Sequence, residues 1–171
     1  MAIAEHPAPG TILRCNFDYG FVPPEMVKRR PVVVVSPKIS VRPRVCTVIP
    51  LSTEPPQIRM PYHFELADIA PPLPTPWDKG PNWLKGDMIY AVSFDRLDFI
   101  RYGKEKNGRR LYRYETVTDD QMKQIRACML SALGLGVVDK APVIGYRKPE
   151  CRSPARDRRL RPRQGRPCAG R

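Results

Sequence analysis

The chain has no run of about 18 apolar residues, so no segment reads as a membrane-spanning helix. Its first residues lack the basic start and apolar stretch of a secretory signal, and a cytoplasmic location is the expectation. Cysteine is sparse and unpatterned: Cys15, Cys46, Cys128, Cys151 and Cys168 are odd in number and form no Cys-x-x-Cys pair. Neither a disulfide framework nor a zinc site is suggested, and no metal or other cofactor is expected. Acidic residues are also short, 17 Asp and Glu facing 30 Lys and Arg, for a formal net charge of +13. That deficit suits a polyanionic partner, but it is concentrated in one place. Residues 147–171 hold ten basic and two acidic residues, net +8, which leaves +5 for residues 1–146. The body is only moderately basic, as compatible with an ordinary solvated surface as with nucleic-acid binding.

What is present suffices for one domain. A length of 171 residues with 42% hydrophobic content supports a single core, placed over residues 1–140. Residues 141–171 read as an Arg/Pro-rich tail without apolar periodicity, expected to be disordered. Such a tail either raises RNA affinity without specificity or is neutral. Leu13, Cys15 and Phe17 fall on one face of a half-buried strand, which makes Cys15 a core residue. Asp18 to Arg29 contains Gly20, Pro23 and Pro24 and is a loop long enough to be functional. Met60, Tyr62, Phe64 and Leu66 alternate with polar residues in a further strand. Pro61 assigns that strand to a sheet edge, with His63 on its polar side and without a catalytic part. Ala70 to Asn82 carries five prolines and is a stiff, extended loop, whose Trp77 packs on the body or stacks on a base. Met88 to Phe94 is another strand, leading into Asp95.

Phe99 to Glu115 centres on Asn107-Gly108, a strong signal for a tight hairpin turn. Its Arg101, Lys104, Lys106, Arg109, Arg110 and Arg113 interleave with Tyr102, Tyr112 and Tyr114, a mixture suited to phosphate contacts and base stacking. The plainer reading is a solvated basic hairpin whose tyrosines pack inward. A helix starts after Thr118, which with Gln121 forms a capping box, while Asp119 and Asp120 suit the positive helix end. Gly134 or Gly136 ends it. Met122, Ile125, Met129, Ala132 and Leu133 form its apolar stripe, burying the neighbourhood of Cys128 against a sheet. Several short strands and one late helix predict a small, mostly antiparallel β-barrel with a helix packed on it.

The remaining stretch, Glu25 to Thr53, reads EMVKRRPVVVVSPKISVRPRVCTVIPLST and organises the rest. Val32 to Val35 is a β-branched run bounded by Pro31 and Pro37, the pattern of a strand buried on both faces. Arg30 precedes Pro31, where the backbone must be extended, so its guanidinium sits at the mouth of that strand. A second strand, Arg44 to Ile49, ends at Pro50 and is followed by the hydroxyls of Ser52 and Thr53. An acid, an arginine and hydroxyls can thus converge on one strand-end surface. On these residues alone, a loop carboxylate paired with Lys28 or Arg29, an arginine satisfying carbonyls and strand-ending hydroxyls is the commoner arrangement.

With Pro9-Gly10-Thr11-Ile12 upstream and Phe17-Asp18 after it, this stretch resembles the PemK/MazF family of toxin-antitoxin endoribonucleases. That family reads roughly Pro-x-Gly-(Asp)-Ile, a mobile loop with a Glu, then Arg-Pro-Val-Val-Val-x-Ser and a strand closing on Pro-x-Thr-Thr. The loop Glu falls on Glu25, the Arg on Arg30, and the closing hydroxyls on Ser52 and Thr53. Thr11 stands where the family has an acid, and Ser52 where it has Thr, keeping the hydroxyl without the methyl that restricts its rotamer. Asp95 is the nearest match to an Asp-containing turn, while an Arg that one branch of the family uses two residues earlier is here Ser93. The clear likeness covers residues 9–53, fades through 85–135 and is absent from the tail.

The resemblance implies an SH3-like, CcdB/MazF-like barrel, usually homodimeric, that cleaves single-stranded RNA at selected sequences without a metal. Arg30 is then the stabiliser of phosphoryl charge, Glu25 the acceptor of the 2′-hydroxyl proton, and Ser52, seconded by Thr53, a hydroxyl donor. Expected products are a 2′,3′-cyclic phosphate and a 5′-hydroxyl. Lys28, Arg29, Arg101, Arg109, Arg110 and Tyr112 are the candidate RNA contacts, and an acidic antitoxin is the expected protein partner. A non-catalytic barrel of the same class, binding protein or nucleic acid, is the alternative.

Overall fold

The four valines ahead of Ser36 settle the architecture, because they feed two different cores from one strand. In the computed structural model, which describes residues 3–136, β1 (Ile12–Asn16) pairs antiparallel with β2 (Arg29–Val34), and β2 with β3 (Val45–Ser52). Val32 and Val34 pack with Leu13, Cys15, Phe17 and Val48 on one sheet face, while Val33 and Val35 pack with Ile12, Ile49 and Leu51 on the other. All four valines are buried, as the β-branched run predicts.

Beyond this centre lie β4 (His63–Leu66), β5 (Asn82–Lys85), β6 (Tyr90–Ser93) and β7 (Leu97–Phe99). The strand order is β4-β5-β3-β2-β1-β7, and β6 also pairs with β3. The first half of β3 bonds to β6 (Cys46 opposite Val92) and its last two residues bond to β5 (Leu51 opposite Leu84). A single 3-10 turn, Phe94–Arg96, stands between β6 and β7. Among the described residues no ladder joins β4 to β7, so the sheet is not closed into a barrel. The closed barrel expected from the sequence is corrected on this point, because β3 divides its outer edge between two strands. Expectations for the tail, 141–171, fall outside the described residues.

The edge position of the His63 strand holds, but the strand is shorter than its alternation. Pro61 and Tyr62 form a turn, with the His63 N–H donating to Met60 O at 2.9 Å, and pairing starts only after it. The hairpin consists of β8 (Arg101–Lys104) and β9 (Arg110–Tyr112), with Gly108 at φ 86° in its turn. Two of its tyrosines, Tyr102 and Tyr114, are exposed and Tyr112 is half-buried, while Arg113, 2% exposed, takes the inward place. The Arg113 guanidinium donates to the carbonyls of Pro71 and Ala70, clipping the proline-rich loop to the hairpin. Burial lowers its pKa from the ordinary arginine value, with Glu115 partly offsetting that.

Helix α1 (Asp119–Ala132) starts as predicted, with Thr118 Oγ1 accepting from Gln121 N–H and Gln121 Oε1 accepting from Thr118 N–H. Its buried positions are Met122, Ile125 and Cys128, so Cys128 itself faces the core while Leu133, at the end of the helix, is exposed. Gly134, at φ 70°, terminates it. The helix lies against Gly86, where an added Cβ would meet Tyr62 O at 2.8 Å and Cys128 Cβ at 2.9 Å.

Candidate active site

The pairing register assembles the strand-end residues. Val32 stands opposite Pro50, where the β2–β3 ladder ends, and Arg30 and Ser52 follow two residues beyond it on the same alternation. Cross-strand partners share a face, so Arg30 and Ser52 project on the side of the Val32, Val34 and Val48 core. Arg30 is half-buried, and its Nε donates to Val27 O at 3.1 Å. Its Nη groups have no protein partner among the described residues. Ser52 is 3% exposed; its Oγ accepts from Glu54 N–H at 3.1 Å, leaving the hydroxyl proton to be donated elsewhere. Thr53, the next residue, is half-buried.

The loop carrying Glu25 is tied at both ends and in its middle. Phe17 N–H donates to Lys28 O at 3.1 Å, and Arg29 pairs with Asp18 at 3.3 Å across the neck. Lys28 itself is exposed and left-handed, φ 71°, which turns the chain into β2. Met26 is buried in the same core that Arg30 borders, and its N–H donates to Tyr90 Oη at 3.1 Å. Phe21 stacks edge-on against Phe17 and Tyr90, with ring centroids at 5.0 and 5.3 Å. Arg96 holds the loop from outside, donating to Tyr19 O at 2.7 Å and Asn16 O at 3.2 Å. These tethers fold the loop onto the Arg30 face.

Glu25 is not paired with Lys28 or Arg29. Its Oε2 accepts from Val22 N–H at 2.8 Å, while its own N–H donates to Val22 O at 2.9 Å. Oε1 has no hydrogen bond among the described residues. The arrangement therefore offers a fixed carboxylate with one free oxygen, an arginine with two free donor groups and a serine with a free proton. Cys15, the cross-strand partner of Arg30, is no nucleophile: burial pushes its thiol up to about 12, and that of Cys46 to about 11.

Other candidates stand elsewhere. Leu97 pairs with Cys15 and Phe99 with Leu13, so the chain enters the hairpin from the end of β1 opposite the Glu25 loop. Arg101, Arg109 and Arg110 are exposed there, with Tyr112 half-buried opposite Arg101. His63 accepts from Met60 N–H through Nδ1 at 3.1 Å and has Asp87 3.9 Å from Nε2, on the edge strand away from the Glu25 loop. Its pKa is lowered chiefly by burial. Asp95 accepts from Arg44 at 2.6 Å and from Ser93, which caps the 3-10 turn. The sequence reading missed Tyr90 and Arg96 as loop anchors, because their partners are backbone groups about 60 to 80 positions away.

An open, mostly antiparallel sheet with one late helix is a known architecture. The chain aligns with MazF of Deinococcus radiodurans at a TM-score of 0.53, over 75% of this chain and 96% of that one, with 16% identity. It aligns with a mycobacterial endoribonuclease solved in complex with its cognate antitoxin at 0.50, over 76% and 97%, with 21% identity. At such identities the likeness is one of fold. Sequence carries the assignment further: residues 8–133 match the model of the PemK-like, MazF-like toxin of type II toxin-antitoxin systems, and the chain belongs to that family. It is 33% identical over 147 residues to an uncharacterized Haemophilus influenzae protein, covering 78% of this chain and 98% of that one. With the uncharacterized protein YifN of Escherichia coli (strain K12) it shares 36% identity over 118 residues, covering 59% of this chain and 78% of YifN.

Proposed function

We propose that the protein is the toxin of a type II toxin-antitoxin pair and cleaves single-stranded RNA at selected sequences without a metal. The observation that supports this reading is the β2–β3 alternation that carries Arg30 and Ser52 just past the Val32–Pro50 pair, on the side of the core into which Met26 of the Glu25 loop is pinned. Glu25 Oε1 takes the proton of a ribose 2′-hydroxyl, and the 2′-oxygen attacks the adjacent phosphorus. The Arg30 Nη groups meet the non-bridging oxygens as their charge grows. Ser52 donates a hydrogen bond to a phosphoryl oxygen or, through an ordered water, helps deliver a proton to the 5′-oxygen as its bond to phosphorus breaks, with Thr53 beside it. The 5′-oxygen leaves protonated, giving a 2′,3′-cyclic phosphate and a 5′-hydroxyl. Lys28 and Arg29 flank this end of the strands, while the Arg101, Arg109, Arg110 and Tyr112 hairpin engages RNA farther along.

The reading includes a homodimer and a cytoplasmic setting, together with an acidic antitoxin, for which family membership and the mycobacterial neighbour solved with its cognate antitoxin are the support. No helix among the described residues is long and apolar enough to cross a membrane. Incubation of the purified protein with a long RNA in EDTA tests the activity. Discrete cuts ending in cyclic phosphates are expected. Intact RNA that is nevertheless retarded in a gel would replace the enzyme with the non-catalytic binder.

A further inference from the structure

The row that contains Arg30 and Ser52 continues across two more strands. Ser52 pairs with Trp83 on β5, and Trp83 pairs with Glu65 on β4, so all four side chains share one sheet face. Beneath β1 to β3 that face is an apolar core, but at its β5 and β4 end it turns polar. Trp83 marks the change: it is 8% exposed, and the Arg59 guanidinium lies over its ring at 5.5 Å. Arg59 is exposed, and among the described residues no carboxylate holds it and the carboxylate of Glu65, half-exposed on the edge strand, has no hydrogen bond or ion pair. The Trp83 indole N–H is also without an acceptor there.

An exposed guanidinium held over an indole is a surface on which a planar aromatic ligand can settle. A free carboxylate beside such a platform reads the edge of whatever stacks on it. With strands about 4.8 Å apart, Glu65 lies about 10 Å from Ser52, roughly the reach from a phosphate to the base edge of its own nucleotide. Two carboxylate oxygens match two parallel N–H donors. Guanine presents that pair on its Watson–Crick edge, as N1–H and the N2 amine, whereas adenine and cytosine offer an amine beside an acceptor.

We infer that Arg59, held over Trp83, and Glu65 form a guanine-reading subsite beside Ser52, which selects the RNA positioned for cleavage. This rests on the RNA-cleaving reading above for its placement, yet base recognition is measurable without cleavage. The probe is a set of fluorescent 2′-O-methyl pentamers, UUGUU, UUIUU with inosine, and UUAUU, whose blocked 2′-oxygens cannot attack.

Anisotropy titrations of the full chain are expected to show UUGUU binding at least tenfold tighter than UUAUU, with inosine, which lacks the N2 amine, between them. Glu65→Gln should flatten the three affinities to within about twofold. Arg59→Ala should weaken all three together by about tenfold, since stacking is tolerant of base identity. Equal affinity for the three pentamers in the parent, a guanine preference that survives Glu65→Gln, or an Arg59→Ala variant that binds like the parent would each overturn the subsite. The same preparations are then given long RNA in EDTA. A guanine preference that depends on Glu65 without any cutting sinks the catalytic reading and leaves the subsite standing; cutting with indifference to guanine does the opposite.

Discussion

Arg30 uses only Nε on its own protein, so its worth lies in what the Nη groups do. If they meet charge that develops only as the 2′-oxygen attacks, Arg30→Ala should lower single-turnover cleavage by roughly 100- to 1000-fold and leave RNA affinity nearly unchanged. Arg30→Lys should fail as well, since it keeps the charge but loses both the fork and the Val27 contact. A variant that melts like the parent and cleaves at its rate removes Arg30 from the chemistry. Buried Cys15 and Cys46 set a second expectation at this scale. Their folded pKa values, about 12 and about 11, exceed the ordinary thiol value, so between pH 9 and those values the native state holds protons that the unfolded chain has lost. Stability therefore falls as pH rises through this window, by up to about 1.4 kcal/mol per thiol per pH unit. Urea midpoints at pH 8 and pH 10 should separate less in Cys46→Ala than in the parent. Individual side chains were unevenly legible in the sequence. Pro31 and the valine run announce Arg30 locally, and the alternation of β1 announces Cys15. Nothing local tells a buried Arg113 from an exposed Arg110 three residues away, and the Arg59 stack exists only because a turn before β4 is brought over β5.

Among elements, the helix was read most completely, because a capping box and a glycine stop are local signals. Thr118→Ala should cost about 1 kcal/mol. Gly86→Ala should cost about 1 to 3 kcal/mol, since the new methyl meets a backbone carbonyl and the body of α1 rather than a flexible side chain. Thermal melts read both, and an unshifted Gly86→Ala would mean that the helix can move away freely. The hairpin gives a sharper contrast. Arg113→Ala strands two carbonyls that its guanidinium now satisfies and should lose about 3 kcal/mol or more, whereas Arg109→Ala and Arg110→Ala, fully at the surface, should stay within about 0.5 kcal/mol. Equal losses at the three positions would show that the clip carries no stability. Sheet closure was the element-level feature that sequence did not reveal. Short strands and turns look alike whether or not a last ladder forms, and the division of β3 between β5 and β6 is decided by pairing between distant residues.

At the scale of the whole chain, the charge is carried unequally, with +8 of the +13 in residues 147–171. Removing that segment should shift the melting temperature by less than about 5 °C, while flattening the fall of RNA affinity with salt. A larger drop in the melt would mean that the tail contributes to the folded body. The doubly buried β2 has its own bearing on the molecule as a whole. Val33 lies between β1 and β3, the Val34 N–H donates to Thr11 O and the Val35 N–H to Thr47 O, so these amides can meet solvent deuterium only when both cores come apart together. The loop that carries Glu25, held by a few contacts over its rim, can open by itself. In an exchange experiment the amides of residues 33–35 should therefore take up label last and those of residues 19–22 and Glu25 among the first, with Arg30 at the boundary between the slowest and fastest parts of the molecule. A carboxylate carried on that loop would then be timed by the fast part, while the Arg30 guanidinium at the edge of β2 is held still by the slow one.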